Sequence, residues 1–275
     1  FKVFIMLVKR AMSKNVVSVS VPGNREKVLD LMRKEDKAVL PVVKGDTKQL
    51  VGLITRSDLI VNPDEEQIAI LMSTDLVTAS PDDDVKDVAK KMIDNNVRRV
   101  PVVDDNGDLV GIITSFDLVS NALIKLESDD PVENFMITTV PTTWYKTPLN
   151  VAFETMKQFG LKSVLALNDS AKLVGILTET DFIEESEITV GTEGDKWSWD
   201  STSVLYIEKN CLKFTDKLVE DVGTHKVEVV NSKTKASDCA KKMKTLNIEQ
   251  IPVIGVEGEL IGLVRASDLI KALVD

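Results

Sequence analysis

Residues Asp108 to Val119 read DLVGIITSFDLV, and the chain says this four times. Gln49 to Ile60 read QLVGLITRSDLI, Lys172 to Ile183 read KLVGILTETDFI, and Glu259 to Ile270 read ELIGLVRASDLI. Each copy runs from apolar, β-branched residues that suit a buried strand, through a glycine, into a hydroxyl three residues ahead of a carboxylate. That last pattern marks a helix N-terminus. The plain reading of Thr-x-x-Asp is a capping box that satisfies the first helical N–H groups. The sharper reading is a ligand-binding edge, because a helix N-terminus with a hydroxyl and a carboxylate faces outward. One helix end can serve both purposes.

The flanks repeat as well. Met12-Ser13, Met72-Ser73, Met136 and Val222 precede the motif aspartates Asp58, Asp117, Asp181 and Asp268 by 46, 45, 45 and 46 residues. Between these points each copy carries a stretch with apolar residues three and four apart, such as Val85, Val88, Ala89, Met92 and Ile93, which predicts a helix. Short apolar runs at Val16–Val19 and Leu76–Ala79 predict a first strand. Val39–Val43, Val100–Val103, Val164–Leu167 and Ile251–Ile254 predict a second. The plan is β-α-β-β-α, an α/β protein of four repeats spanning 1–66, 67–128, 129–185 and 218–275.

This pattern resembles the cystathionine-β-synthase (CBS) domain over nearly the whole chain, and four copies in one chain resemble the γ subunit of AMP-activated protein kinase and its archaeal relatives. The resemblance implies that repeats pair into two modules forming a disc-like body, with clefts that hold adenosyl compounds. It also implies a role for each residue. The motif aspartate accepts from the two ribose hydroxyls, which suits a group with two acceptor oxygens. The threonine assists at sugar or phosphate, and basic residues before the second strand grip phosphate. The hydroxyl after the methionine serves the partner repeat, so Ser13 faces the repeat-two cleft and Ser73 the repeat-one cleft.

Carried over, the expected binding residues are Thr55 and Asp58 in repeat one, Thr114 and Asp117 in repeat two, Thr178 and Asp181 in repeat three, and Asp268 in repeat four. Arg265 stands where repeat four should have its hydroxyl, so it either reaches a phosphate or fills the cleft. Only repeat two has a basic pair, Arg98-Arg99; the matching positions are Ala38-Val39, Lys162-Ser163 and Glu249-Gln250. Arginine makes paired, charge-assisted hydrogen bonds to phosphate, although an arginine pair in isolation is as often a solvated feature near a helix end. Trp144 and Tyr145 replace the small polar residues of the sibling repeats.

Composition narrows the classes. A net charge of −10 and a pI near 4.8 exclude a general binder of nucleic-acid backbone. Two cysteines and a single histidine make neither a disulfide framework nor a zinc site. No Gly-rich phosphate loop or nucleophile elbow is present, and Asp82-Asp83-Asp84 reads as a helix start, so no catalytic role is expected. The apolar run from Phe1 stops at Lys9 and is too short for a membrane span; the cysteine usage, with no disulfide framework, makes a reduced, cytoplasmic setting the expectation. Residues 186–217 match no repeat; Trp197, Trp199 and Val204–Ile207 read as an ordered excursion that wraps onto the modules, or as a docking segment. The expected function is sensing AMP, ADP or ATP and reporting occupancy to a protein partner or a second copy. The alternatives are a sensor of S-adenosylmethionine or a related thioadenosine, and a ligand-free scaffold.

Overall fold

The computed structural model describes residues 5–35, 37–62, 65–178, 181–182, 186–193, 207–214, 216–224 and 226–274. Of Ile60, Val61 and the two segments 186–193 and 207–214 only the backbone path is described. Repeat one builds β1 (Val19–Val21), α1 (Arg25–Lys34), β2 (Val39–Lys44), β3 (Leu50–Thr55) and α2 (Arg56–Val61). Asn24 starts α1 by accepting from the Lys27 N–H at 3.2 Å. Val28 and Met32, one turn apart, point the helix at Leu40, Val42 and Ile54. β1 runs parallel to β2, and β3 returns antiparallel with a bulge at Val42/Val43.

Repeat two contains α3 (Ile68–Leu71), α4 (Val85–Asp94), β4 (Arg99–Val103), β5 (Leu109–Thr114) and α5 (Ser115–Leu118). The chain then continues through a π-helical turn, Val119–Leu123, into α6 (Ile124–Leu126). Asp84 caps α4 by accepting from Lys86 N–H, as its place before the apolar run suggested. Repeat three supplies β6 (Thr142–Trp144), α7 (Leu149–Gln158), β7 (Ser163–Leu167) and β8 (Leu173–Thr178). Repeat four supplies α8 (Val219–Val222), β11 (Val230–Asn231), α9 (Ala236–Leu246), β12 (Gln250–Ile254), β13 (Leu260–Arg265) and α10 (Ala266–Leu269). A 3-10 turn, Ile270–Leu273, ends it. The bulge of repeat one recurs at Val102/Val103 and Ala166/Leu167, so the copies share register as well as sequence.

Two expectations shift. The first strand of repeat one begins at Val19 rather than Val16, because pairing starts where Val19 meets Val42. In repeat two the run Leu76–Ala79 shrinks to a single parallel bridge, Ala79 to Val102, just ahead of Pro81, which has no N–H to extend a ladder. The segment between repeats three and four is a two-stranded antiparallel ribbon, β9 (Ser186–Glu193) and β10 (Ile207–Phe214), and β10 lies against α7. Trp197, Trp199 and Val204–Tyr206 fall outside the described residues, as does His225.

The chain forms two compact units. One takes in Phe1–Ile137, Val230–Val253 and Leu263–Asp275; the other takes in Thr138–Val229 and Ile254–Gly262. Within them the segment leading into each repeat docks on its neighbour. Ser13 bridges to Ile112 and Ser73 to Leu53; Ile137 bridges to Leu263 and Thr224 to Ile176. The glycine of the repeated motif makes this possible. A Cβ at Gly111 would sit 2.5 Å from the Met12 sulfur, and one at Gly52 2.5 Å from the Met72 sulfur.

Candidate functional site: the helix-capped edges

Each motif ends a strand and begins a helix, and the cap decides what its carboxylate can still do. In repeat two, Thr114 donates from its N–H (2.8 Å) and its hydroxyl (2.7 Å) to Asp117 Oδ2, and its hydroxyl accepts from the Asp117 N–H (3.0 Å). Oδ2 is thereby filled, while Oδ1 makes no hydrogen bond among the described residues. Repeat one repeats this with Thr55 and Asp58 Oδ2, both donors at 2.8 Å. In repeat three Thr178 donates to Asp181 Oδ2 at 2.6 and 2.8 Å. The first two are capping boxes, and in all three the second aspartate oxygen makes no hydrogen bond among the described residues.

Repeat four is different in kind. Arg265 donates from Nε to Asp268 Oδ2 (2.7 Å) and from Nη2 to Oδ1 (3.0 Å), a two-pronged ion pair. Asp268 is only 5% exposed, and both of its oxygens are taken. In the structure Arg265 is committed to the motif aspartate of its own repeat. Asp268 therefore stands apart from the other three aspartates as a sugar acceptor. This pairing also holds the guanidinium firmly in its charged form.

The remaining repeat-two residues converge on the same edge. Ser13 and Ile112 exchange both backbone hydrogen bonds, N–H to O at 2.9 and 3.0 Å, which carries the exposed Ser13 onto β5 two residues before Thr114. Ser73 and Leu53 do likewise at 2.9 and 3.0 Å, two residues before Thr55. Arg99 pairs with Thr114 across the β4–β5 ladder, and the Arg98 carbonyl accepts from the Ser115 N–H at 2.9 Å. Both arginines are half-buried. The backbone positions of Ser13, Arg98, Arg99, Thr114 and Asp117 thus lie at one end of the β4–β5 pair.

Asp117 lies in an unusual field. Burial pushes its carboxyl above the ordinary carboxylate value, the two Thr114 hydrogen bonds pull it back, Glu249 raises it further and Lys37 lowers it. Glu249 belongs to repeat four and Lys37 to repeat one, so charges from three repeats meet here. Sequence reasoning marked Glu249 only as a missing arginine and passed over Lys37, because nothing along the chain says which repeats lie side by side.

The aromatic pair of repeat three does not line its motif edge. Thr142 pairs with Leu165 and Trp144 with Leu167, whereas Thr178 pairs with Ser163 at the opposite end of the sheet. There Trp144, half-exposed, donates Nε1–H to Asp169 at 2.9 Å, and the Tyr145 hydroxyl reaches the other carboxylate oxygen at 3.2 Å. Cys239 is buried, and burial pushes its thiol up to about 12, far from a nucleophile's range. No group of three or more metal-ligating side chains occurs among the described residues. Nor is any helix among them long and apolar enough to cross a membrane.

Paired α/β repeats that finish one another's helix-capped edges define a class of ligand-binding repeat protein. The chain belongs to the CBS-domain family, whose profile matches residues 8–63, 66–123, 132–187 and 219–275. It is similar to the MJ1225 protein of Methanocaldococcus jannaschii, 22% identical over 98% of this chain and 99% of that one. The crystal structure of MJ1225, described as a candidate archaeal homologue of g-AMPK, matches 98% of this chain and 100% of its own with a TM-score of 0.77 at 21% identity. A crystal structure of a conserved protein from Pyrococcus horikoshii covers the same shares at 28% identity and a TM-score of 0.69. The four-repeat architecture is therefore a property shared along the full length of these chains.

Proposed function

We propose that the chain is a non-catalytic sensor of adenine nucleotides, binding AMP, ADP or ATP at the repeat-two edge and reporting occupancy to a protein partner or a second copy. One observation carries the reading: Asp117 keeps a spare acceptor oxygen at an edge that also holds Arg98, Arg99 and the crossing Ser13. Asp117 would accept from the ribose, and the arginines would hold phosphate. Thr55–Asp58 and Thr178–Asp181 offer the same sugar acceptor without a basic pair, and so weaker sites. S-adenosylmethionine is disfavoured at repeat two because its sulfonium would meet two guanidinium groups.

A thermal-shift series with AMP, ADP, ATP and S-adenosylmethionine tests this. A ligand at about 100 times its Kd stabilises by about 2.7 kcal/mol, a rise of several degrees in Tm. Nucleotides are expected to give that rise and S-adenosylmethionine little. No shift and no calorimetric heat with any adenosyl compound at millimolar concentration would leave the scaffold reading in its place.

A further inference from the structure

We propose that Asn121 is a positioning residue of the repeat-two edge: its amide, oriented by Lys244 of repeat four, ties the leader of repeat one to the helix that carries Asp117 and so holds Ser13 in place. The inference rests on the nucleotide reading above and deepens it, because it names what keeps two parts of one site together.

The tie starts at the motif helix. α5 carries Asp117 in its first turn and passes, with helical dihedral angles at Leu118 and Val119, into the π-helical turn Val119–Leu123. Turns of this kind recur at functional sites. Asn121 lies in that turn, four residues after Asp117, on the element that bears the motif carboxylate. Its Nδ2 donates to the carbonyl oxygen of Ala11 at 3.2 Å, across 110 residues of sequence. Ala11 is buried and stands two residues ahead of the exposed Ser13. Ser13 meets β5 as one isolated pair with Ile112, not as a ladder. A single pair sets where the leader crosses but leaves it free to hinge. A second tie, from the motif helix to Ala11, removes that freedom.

The amide also has a fixed sense. A carbonyl oxygen can only accept, and an ammonium can only donate. Lys244 Nζ donates to Asn121 Oδ1 at 3.3 Å and to the Ser120 carbonyl oxygen at 3.0 Å. Only one orientation satisfies both neighbours, with Nδ2 toward the leader and Oδ1 toward Lys244. The flipped amide would set an oxygen against the Ala11 carbonyl and an NH2 against the ammonium. Lys244 thus holds the group that holds the leader, and hydrogen bonds linked through one group act together. Leader, motif helix and α9 all belong to one compact unit. Repeats one, two and four each contribute one member of the chain Ala11–Asn121–Lys244.

Calorimetric titration of the full chain with AMP tests the inference, with the binding component lost in Asp117→Ala identifying the repeat-two edge. Asn121→Asp is the discriminating variant, because it keeps a partner for Lys244 but sets an acceptor against the Ala11 carbonyl. It is expected to weaken AMP at that edge by roughly three- to tenfold, the worth of one neutral hydrogen bond, with Tm within about 3 degrees of the parent. Ser13→Ala should cost a similar factor in the parent and less than about twofold in the Asn121→Asp background, since Ser13 is then already out of place. Lys244→Met, which frees the amide to flip, should give a smaller loss that is likewise not additive with Ser13→Ala. Unchanged AMP affinity in Asn121→Asp overturns the inference and leaves the nucleotide reading standing. So do strictly additive losses, no loss from Ser13→Ala in the parent, or losses that track a lowered Tm, which would make Asn121 a prop of the fold alone. If AMP does not bind the parent at all, the nucleotide reading itself falls and takes the inference with it.

Discussion

Under the proposed function, Asp117 serves two ends that oppose each other. A ribose acceptor works best as a carboxylate, yet burial and, to a lesser degree, Glu249 favour the protonated form of Asp117. The folded value is raised, so the ligand-free fold binds the proton more tightly than the unfolded chain does. Its contribution to stability is present at low pH and is lost as pH rises from the ordinary 3.8 through the raised value. Nucleotide affinity moves the other way over the same window, rising as the carboxylate forms. Asp117→Asn is accordingly expected to raise the Tm of the ligand-free protein at neutral pH. It should also weaken adenosine and AMP alike by about ten- to hundredfold, the worth of one or more charged hydrogen bonds. Melting curves and titrations of the variant across pH check both signs; a lower Tm at neutral pH would show that the Thr114 cap outweighs the burial cost. The four caps themselves were visible in the sequence, down to the odd arginine at position 265. Which oxygen each donor fills was not, since spacing fixes a partner and says nothing of the atom.

At the scale of elements, the strand glycine and the leader methionine form the working contact. Both recur in the sequence at fixed spacing, and the family resemblance already sent Ser13 to repeat two; that the Met12 sulfur lands on Gly111, about 100 residues away, could not be read from spacing. A Cβ at Gly111 would meet the Met12 sulfur at 2.5 Å and the Ser13 carbonyl oxygen at 3.1 Å. The methionine can swing aside; the backbone carbonyl is held by the Ile112 N–H and cannot. Gly111→Ala should therefore destabilise the chain by roughly 1–3 kcal/mol and displace Ser13 from the edge. In repeat three the corresponding Gly175 faces Thr224 O at 3.5 Å, ordinary van der Waals contact, since Val222 replaces the methionine there. Gly175→Ala should be close to neutral. Chemical denaturation of the two variants checks the contrast, and equal losses would mean that strand flexibility rather than leader contact explains the glycines.

For the whole molecule, the repeats do not behave as beads on a string. The compact unit that contains repeats one and two also contains most of repeat four, with α9, α10 and the turn Ile270–Leu273 packed on α4, α5 and the π-helical turn. Lys244 of α9 donates to Ser120 O (3.0 Å) and Asn121 Oδ1 (3.3 Å) at that turn. A chain shortened by residues 266–275 keeps every residue assigned to the repeat-two edge, yet loses the surface that α5 rests on. It is expected to melt at least several degrees lower and to bind AMP more weakly, as paired melting and titration experiments would show. Full AMP affinity in the shortened chain would mean that repeats one and two suffice. The repeat count, the α/β class and the helix starts were legible because they are local patterns. Assembly among repeats was not, because matching repeats present similar faces and only side-chain fit chooses among them.

The exchange of leaders also imposes a timetable on synthesis. Ser73 finds Leu53 already made, so the second leader docks as soon as it emerges. Ser13 must wait for Ile112, about 100 residues later, and at roughly 5–20 residues per second that is about 5–20 seconds. Ile137 waits still longer for Leu263. The odd-numbered leaders leave the ribosome as unpaired apolar segments, and the even-numbered ones arrive to waiting partners. Nascent chains of this protein should therefore be most in need of shelter while the second and fourth repeats are being translated.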